Sequence, residues 1–447
     1  MIFTLHTHSL KTGLPGKLFY DNMTSTLLDE NGNEFDLGTP DSGKAFTPAP
    51  LMPAKTSAIK KLKISLGLSC NYSCEYCNQR FVPRAAETNP HDVSAFMANL
   101  PSWFDGGEDG MGKGVRIEFW GGEPLVYIKT LKPLAEKLRA RYPRAEFLLI
   151  TNGSLLNAEI NEWIDKMGFN VGLSHDGPGQ GTRGPDPLLD PKSHAAIIDL
   201  YRRLHPQGRM SINTMLHLGN MSKAAIAEHH ERVFGPDVLI GEGAIVDPYD
   251  EGGMAQSIPT SMRGEFVRNA LTEMATGKTA GFMGDGRRLV SFIESMRDHK
   301  PAESIGQKCG MDRAENIAVN LHGDVLTCQN VSIAGTAPNG QSHKIGHVTN
   351  LAAATPAQTS THWSQRSGCK SCPVLQLCHG GCMFLQGKLW EQGCDNAYTD
   401  NIVYFIAAIE MVTGQTVFQI DGGDLPAERS RPLDDHRGRK VIPIMPI

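Results

Sequence analysis

Three cysteines, Cys70, Cys74 and Cys77, stand in residues 64–79 with the spacing C-x3-C-x2-C. An apolar-rich run over 63–68 leads into them and breaks at Ser69, so they fall on a short polar loop after a strand. Thiolates are soft ligands that suit iron–sulfur clusters and zinc. Structural zinc wants four closed protein ligands, commonly in C-x2-C pairs. Three thiolates on one loop instead wrap three corners of a four-iron cluster and leave the fourth iron open. A zinc-knuckle fragment or incidental thiols are the alternatives. Seven more cysteines follow far downstream, in the order Cys309-x13-Gly323-x4-Cys328, Cys369-x2-Cys372-x5-Cys378-x3-Cys382, and Cys394. One or two zinc sites, for example on Cys369, Cys372, Cys378 and Cys394, would also account for part of that set.

The elements that must position the first triplet alternate. Strand-like runs fall at 62–68, 115–120, 146–151, 170–174, 210–216 and 238–246, with helical patterns between them at about 91–104, 126–141, 157–167, 193–205 and 222–234. Strand, loop and helix repeated six times predict an α/β fold: an open, partial (β/α)6 barrel with a parallel sheet, followed by a small cysteine-rich domain. In such barrels chemistry sits at the C-terminal ends of the strands. Each strand here ends in a polar or glycine-rich loop: the cysteine triplet, Gly121-Gly122-Glu123-Pro124, Thr151-Asn152-Gly153, and Ser174-His175-Asp176-Gly177. The glycines allow close backbone approach to a ligand.

The rest of the chain frames this core. Residues 1–60 read as an N-terminal extension, with a turn at 29–34 between two short extended runs and a Pro/Ser/Gly/Thr-rich linker at 39–55. The barrel is expected over 61–260, a helical bridge over 261–304, the cysteine-rich domain over 305–400, and a last helix (396–413) with an extended tail over 401–447. The net charge of −5 gives no electrostatic reason to expect nucleic acid or an anionic membrane. No signal peptide or membrane span is evident, and ten clustered cysteines read as ligands in a reducing compartment, so a cytoplasmic location is expected.

Over about 61–400 the chain resembles the radical S-adenosylmethionine superfamily, through the CNYSCEYC loop after the first strand and GGEP after the second. The resemblance implies that Cys70, Cys74 and Cys77 hold a catalytic [4Fe–4S] cluster whose open iron chelates S-adenosylmethionine. One electron from it then releases a 5′-deoxyadenosyl radical that abstracts hydrogen from substrate. It further implies cofactor contacts by Tyr76 near the adenine, by Gly121, Gly122, Glu123 and Pro124 around the methionine amino group, and by Thr151, Asn152, Ser174 and Asp176. Arg183 would face the cofactor carboxylate. His175 departs from the leucine often found there, and a packing or surface role is expected for it.

The seven later cysteines resemble the SPASM extension of radical enzymes that modify peptides and proteins. By that resemblance Cys369, Cys372, Cys378 and Cys394 ligate an outer auxiliary cluster, and Cys309, Cys328 and Cys382 an inner one. The inner cluster is one cysteine short, because residues 303–308 contain none. An open or substrate-ligated iron is the expectation. Sulfatase-maturing members carry an acid after the cysteine matching Cys328, where this chain has Gln329. An amide cannot take a proton, so maturation of a ribosomal peptide by crosslinking or oxidation is the leading reading. Its partners would be a peptide or protein substrate and a reductant such as flavodoxin or ferredoxin. A sulfatase-maturase-like oxidase, a small-molecule radical enzyme and an iron–sulfur electron-transfer or scaffold protein are the alternatives.

Overall fold

The computed structural model describes residues 1–433, apart from 42 and 86. The chain opens with three strands, β1 (Ile2–Ser9), β2 (Pro15–Asp21) and β3 (Thr26–Leu28). Six strands then alternate with five helices: β4 (Lys61–Ser65), α1 (Asp92–Asn99), β5 (Arg116–Trp120), α2 (Ile128–Arg141), β6 (Glu146–Thr151), α3 (Ala158–Lys166), β7 (Phe169–Ser174), α4 (Pro191–Leu204), β8 (Met210–Leu216), α5 (Lys223–Phe234) and β9 (Ile240–Ile245). These six strands are parallel and adjacent in sequence order, which is the predicted partial barrel.

The period-2 pattern explains the two faces of this sheet. Leu62, Ile64, Ile117, Phe119, Phe147, Leu149 and Phe169 are buried in one core with Leu131, Leu134 and Ile164 of the covering helices. The alternate residues face the concave side, and there the strands carry polar groups: Lys61, Lys63, Glu118, Ser174 and Asn213. Helix starts are capped as the sequence leads one to expect. Asn157 accepts from the Ile160 amide at 3.0 Å, and Asp190 from Ser193 at 2.8 Å.

Next come a short helix α6 (Glu251–Ala255) and the two bridge helices α7 (Arg263–Ala275) and α8 (Met283–Arg297). The cysteine-rich stretch then adds β10 (Asn316–Asn320), β11 (Asp324–Leu326) and β12 (Lys344–His347) to the barrel sheet itself, β10 pairing parallel with β4. The result is one nine-stranded sheet in the order β12-β11-β10-β4-β5-β6-β7-β8-β9. Short helices α9 (Ser367–Lys370) and α10 (Leu375–Cys378) and the long α11 (Gly387–Thr413) follow.

The two ends of the chain differ from expectation. The turn at 29–34 forms, with the Asp29 carboxylate accepting from the amides of Asn31 and Asn33 at 2.9 and 2.8 Å. The larger hairpin, however, is β1 with β2, upstream of it. The start of the expected tail is strand β13 (Gln415–Asp421), which pairs antiparallel with β1 and completes a four-stranded sheet, before a last short helix α12 (Ala427–Ser430). Gly414, at φ 67°, ends α11 and turns the chain into that strand. Local alternation at 415–421 is weak, and only pairing across the whole length of the chain makes it a strand. The last part of the tail, 434–447, lies outside the described residues.

The second core joins this sheet to the helices. Phe3, Leu5, Leu18, Tyr20, Val417 and Ile420 are buried against Ile402, Phe405, Ile406 and Ile409 of α11 and Phe292 of α8. Phe405 is the pivot, with ring centroids 5.3 Å from Tyr20 and 5.6 Å from Phe292. Phe405→Ala is expected to cost about 3–5 kcal/mol, the usual range for emptying a buried aromatic site. Denaturant unfolding at fixed metal load measures it, and a cost under about 1 kcal/mol would show that this seam does not hold the terminal sheet.

Candidate functional site

The backbone leading into the first cysteine triplet is held from three sides. Gly67 has φ +133°, and a Cβ there would overlap Glu87 and the Tyr127 hydroxyl. The Leu68 amide donates to Glu87 Oε1 at 2.9 Å, the Ser69 amide to Tyr127 Oη at 2.6 Å, and Tyr127 donates to Glu87. From the next strand end, the amides of Gly122 and Glu123 donate to the carbonyls of Gly67 and Ser69 at 3.1 and 3.0 Å. A Cβ on Gly122 would stand 2.5 Å from the Ser69 carbonyl oxygen. Close approach at GGEP is therefore first an approach to the cysteine loop. Glu87 and Tyr127 are residues that sequence reasoning missed, since neither lies in a motif.

Cys70, Cys74 and Cys77 line one cavity of about 220 Å³. Its wall also holds Gly121, Gly122, Glu123, Pro124, Thr151, Asn152, Ser174 and Arg183, so eight of the expected cofactor contacts share one space with the three thiols. The amides of Tyr72 and Gln79 donate to the sulfurs of Cys70 and Cys77 at 3.3 and 3.4 Å. Arg80 and Arg84 line the cavity with Arg183, giving it three cations to set against three thiolates. Burial raises all three thiols, Cys74 to about 11, so a metal that binds them must displace protons. All ten cysteines are free thiols. Three convergent thiols, amide donors to sulfur and an arginine-lined cavity are a donor set that fits an iron–sulfur cluster carrying an open position.

Tyr76 and Asp176 sit behind this wall. The Tyr76 hydroxyl donates to Asp176, and Arg183 Nη1 donates to Tyr76 Oη at 2.9 Å and stands 3.6 Å from Asp176 Oδ1. Burial opposes the charge of Arg183, but Tyr76 and Asp176 more than offset it and hold the guanidinium protonated. The Tyr76 ring lies 5.7 Å from His217. In this geometry the pair positions Arg183, because the adjacent carboxylate and phenol are spent on it and on the Met215 amide, which donates to Asp176 at 2.9 Å.

Glu123 and Asn152 tie three strand ends together. Glu123 accepts from Leu125 N at 3.1 Å, Thr151 Oγ1 at 2.8 Å and Asn152 N at 2.8 Å. Burial pushes its carboxyl up, and these three bonds pull the other way. Asn152 Nδ2 donates to Asn71 Oδ1 on the cysteine loop at 2.9 Å. His175 points away from the cavity and is fully buried, its Nε2 on Asp186 Oδ1 at 3.0 Å.

On the concave face below the cavity, Lys63 Nζ donates to Gln329 Oε1 at 2.9 Å and lies 3.7 Å from Glu118 Oε2. Trp120 Nε1 donates to the same Glu118 oxygen at 2.9 Å, and the Trp120 ring lines the cavity. Gln79 Nε2 reaches Asn330 at 3.2 Å. Residue 330 thus meets the end of the first cysteine loop, and residue 329 meets β4 through Lys63, which links the Gln329 amide to the Glu118 carboxylate. The signal for Lys63 and Glu118 was in the sequence: charged residues at alternate positions of strands whose other face is apolar.

The later cysteines form two groups. Cys369, Cys372, Cys378 and Cys394 line one apolar pocket with Trp390 and Tyr398. Arg429 Nη1 donates to Cys394 Sγ at 3.4 Å. Cys328 is buried and Cys382 half-buried, desolvation raises both thiols, and the more exposed Cys309 bears on both. Tyr249 and Asp247 lie beside Cys382, with the Tyr249 hydroxyl bonded to it. The Asn330 amide donates to Cys328 Sγ at 3.4 Å. Among the described residues no helix is long and apolar enough to cross a membrane.

Comparison with known proteins finds distant relatives in sequence and a match in fold. No family model matches the chain. It is 26% identical over 333 residues to the PqqA peptide cyclase of Streptomyces rochei, a match covering 71% of this chain and 83% of that one. It is 25% identical over 135 residues to the radical SAM cyclopropyl synthase TigE of Paramaledivibacter caminithermalis, covering 28% of this chain and only 29% of that relative. The fold matches the solved structure of native anSMEcpe with bound AdoMet and Cp18Cys peptide, with a TM-score of 0.52 at 18% identity over 79% of this chain and 98% of that one. At that identity the likeness is one of fold.

Gly122→Ala is expected to displace residues 68–69 and weaken metal uptake by the first triplet. Iron per chain after anaerobic loading should fall by up to the share of one cluster. Unchanged iron content would show that the close contact at 2.5 Å is relieved without moving the cysteine loop.

Proposed function

We propose that this chain, a relative of the radical S-adenosylmethionine enzymes in sequence and in fold, modifies a peptide or protein substrate. The reading rests on one observation above the others. The three-cysteine loop, GGEP, Thr151-Asn152, Ser174 and Arg183 wall a single cavity that abuts residues 329–330, next to Cys328. An electron carrier has no use for such a cavity.

Bound there, a [4Fe–4S] cluster on Cys70, Cys74 and Cys77 with S-adenosylmethionine supplies hydrogen-atom abstraction from a substrate side chain or α-carbon. The protein's own groups do the rest. Arg183, held charged by Tyr76 and Asp176, faces an anionic group such as the cofactor carboxylate. Glu123 and Asn152 keep the three strand-end loops in register, so that the cavity has one shape. Beyond the abstracted hydrogen atom, ring closure through a heteroatom and oxidation of a side chain both release one electron, which an auxiliary cluster would take, and one proton. Glu118, held by Trp120 and Lys63 on the concave face below the cavity, would accept the proton. Cys369, Cys372, Cys378 and Cys394 would hold an outer auxiliary cluster, and Cys309, Cys328 and Cys382 an inner one with one position left for substrate or a non-thiolate ligand. A flavodoxin or ferredoxin would deliver electrons.

Iron-loaded protein, given S-adenosylmethionine and a reductant without oxygen, is expected to release 5′-deoxyadenosine even without substrate. Replacing Cys70, Cys74 and Cys77 together by Ala should abolish the release, whereas Cys369→Ala with Cys372→Ala should leave the first cluster assembled. Release from the triple variant would overturn the assignment, and no release from wild type would favour the scaffold reading. With a peptide substrate, Glu118→Gln should lower product formation by about 10²-fold, as for loss of a general base, and lower it more than 5′-deoxyadenosine release. Equal loss of both would place Glu118 in cofactor binding instead.

A further inference from the structure

Three histidines outside the cavity form a cluster that the function above does not use. His175 follows β7, and His229 and His230 lie on α5, which packs over it. A ring nitrogen from each lies within 4.8 Å of those of the other two. The His175 ring is stacked on His229 at a centroid distance of 5.5 Å and meets His230 edge-on at 5.3 Å. His175 and His230 are fully buried.

We propose that His175, His229 and His230 bind a divalent transition metal, zinc by ligand type, that pins the loop after β7 to α5. The hydrogen bonds set the tautomers for it. His230 Nε2 donates to the His175 carbonyl at 3.2 Å, which leaves the lone pair on His230 Nδ1. That nitrogen is buried with no protein partner, and so is His229 Nε2. Two orphaned buried imidazole nitrogens in one three-histidine cluster are a cost without a ligand and a donor pair with one. His175 Nε2 donates to Asp186, so its Nδ1 carries the third lone pair, used here by the Gly177 amide at 3.0 Å. A metal-binding histidine whose other nitrogen donates to a carboxylate or a backbone carbonyl is the usual second layer of such sites, and His175 and His230 show one of each.

The charged groups that bear on the cluster are Asp186 and Arg232. Imidazole sets suit zinc, and cysteine, the softer competitor, is absent from the cluster. Tetrahedral zinc with Zn–N of about 2.0–2.1 Å holds its nitrogens about 3.4 Å apart, so closing the site from within 4.8 Å draws them together by up to about 1.4 Å and takes His175 Nδ1 from the Gly177 amide. The loop so pinned, residues 175–186, carries Asp176 and Arg183, which links the metal to the shape of the cavity wall.

The test uses the full chain with its cysteines iron-loaded. Zinc chloride is added, unbound metal is removed, and metal content and the zinc X-ray absorption fine structure are recorded. One zinc per chain with only nitrogen and oxygen neighbours at about 2.0–2.1 Å is expected. His229→Gln and His230→Gln should each lose that zinc and keep the iron. No retained zinc, or a shell of sulfur at about 2.3 Å, overturns the proposal. The wild-type spectrum decides the question even if the variants fold poorly. The proposal does not depend on the radical reading, which iron content and 5′-deoxyadenosine release report separately.

Discussion

Everything at the cavity depends on how residues 67–70 are seated. Their amides and carbonyls are taken up by Glu87, Tyr127 and the backbone of Gly122 and Glu123, so the first cysteine leaves its strand in one direction. Hydrogen bonds to backbone groups are the right device for this. The loop with the three thiols buries Leu68 and packs Tyr76 on the second core, but most of its side chains are polar or thiol, and unpaired backbone groups beside a cavity would be expensive. The same bonds fix the second strand-end loop against the first, and Glu123 passes that constraint to the third through Thr151 and Asn152.

A second constraint is the polar lumen. The barrel buries Lys63 and Glu118 on its concave face, each at most 6% exposed. Removing two charges from water is costly unless they are paired and hydrogen-bonded. Here they are neighbours across β4 and β5, and Trp120 and Gln329 satisfy further atoms. Such a group gains nothing in stability over apolar packing, and its presence where β10–β11 meets the barrel points to work done there on a bound molecule.

The barrel was legible in the sequence because its signals are local. Alternation in 146–151 and 210–216 marked β6 and β8 to the residue, and Asn157 marked the start of α3. The terminal sheet was not legible, since β13 acquires its partner only from β1 at the far end of the chain. The cavity wall could be assembled from strand-end loops, but Tyr76 and Asp176 could not be told from wall residues. Which face of a loop a side chain takes is decided by its bonds, here to Arg183. Glu87 and Tyr127 carried no motif, and the histidine cluster joins a strand end to a helix more than 50 residues later.

The central claim is that the 70–77 loop holds a cluster with one iron open to S-adenosylmethionine. Electron paramagnetic resonance of the reduced, iron-loaded protein tests it most directly, with and without added S-adenosylmethionine. The account predicts a cluster signal that shifts on addition, and that is missing when Cys70, Cys74 and Cys77 are all replaced while the auxiliary signals remain. A spectrum unchanged by S-adenosylmethionine, or a responsive signal that survives the triple replacement, would contradict it.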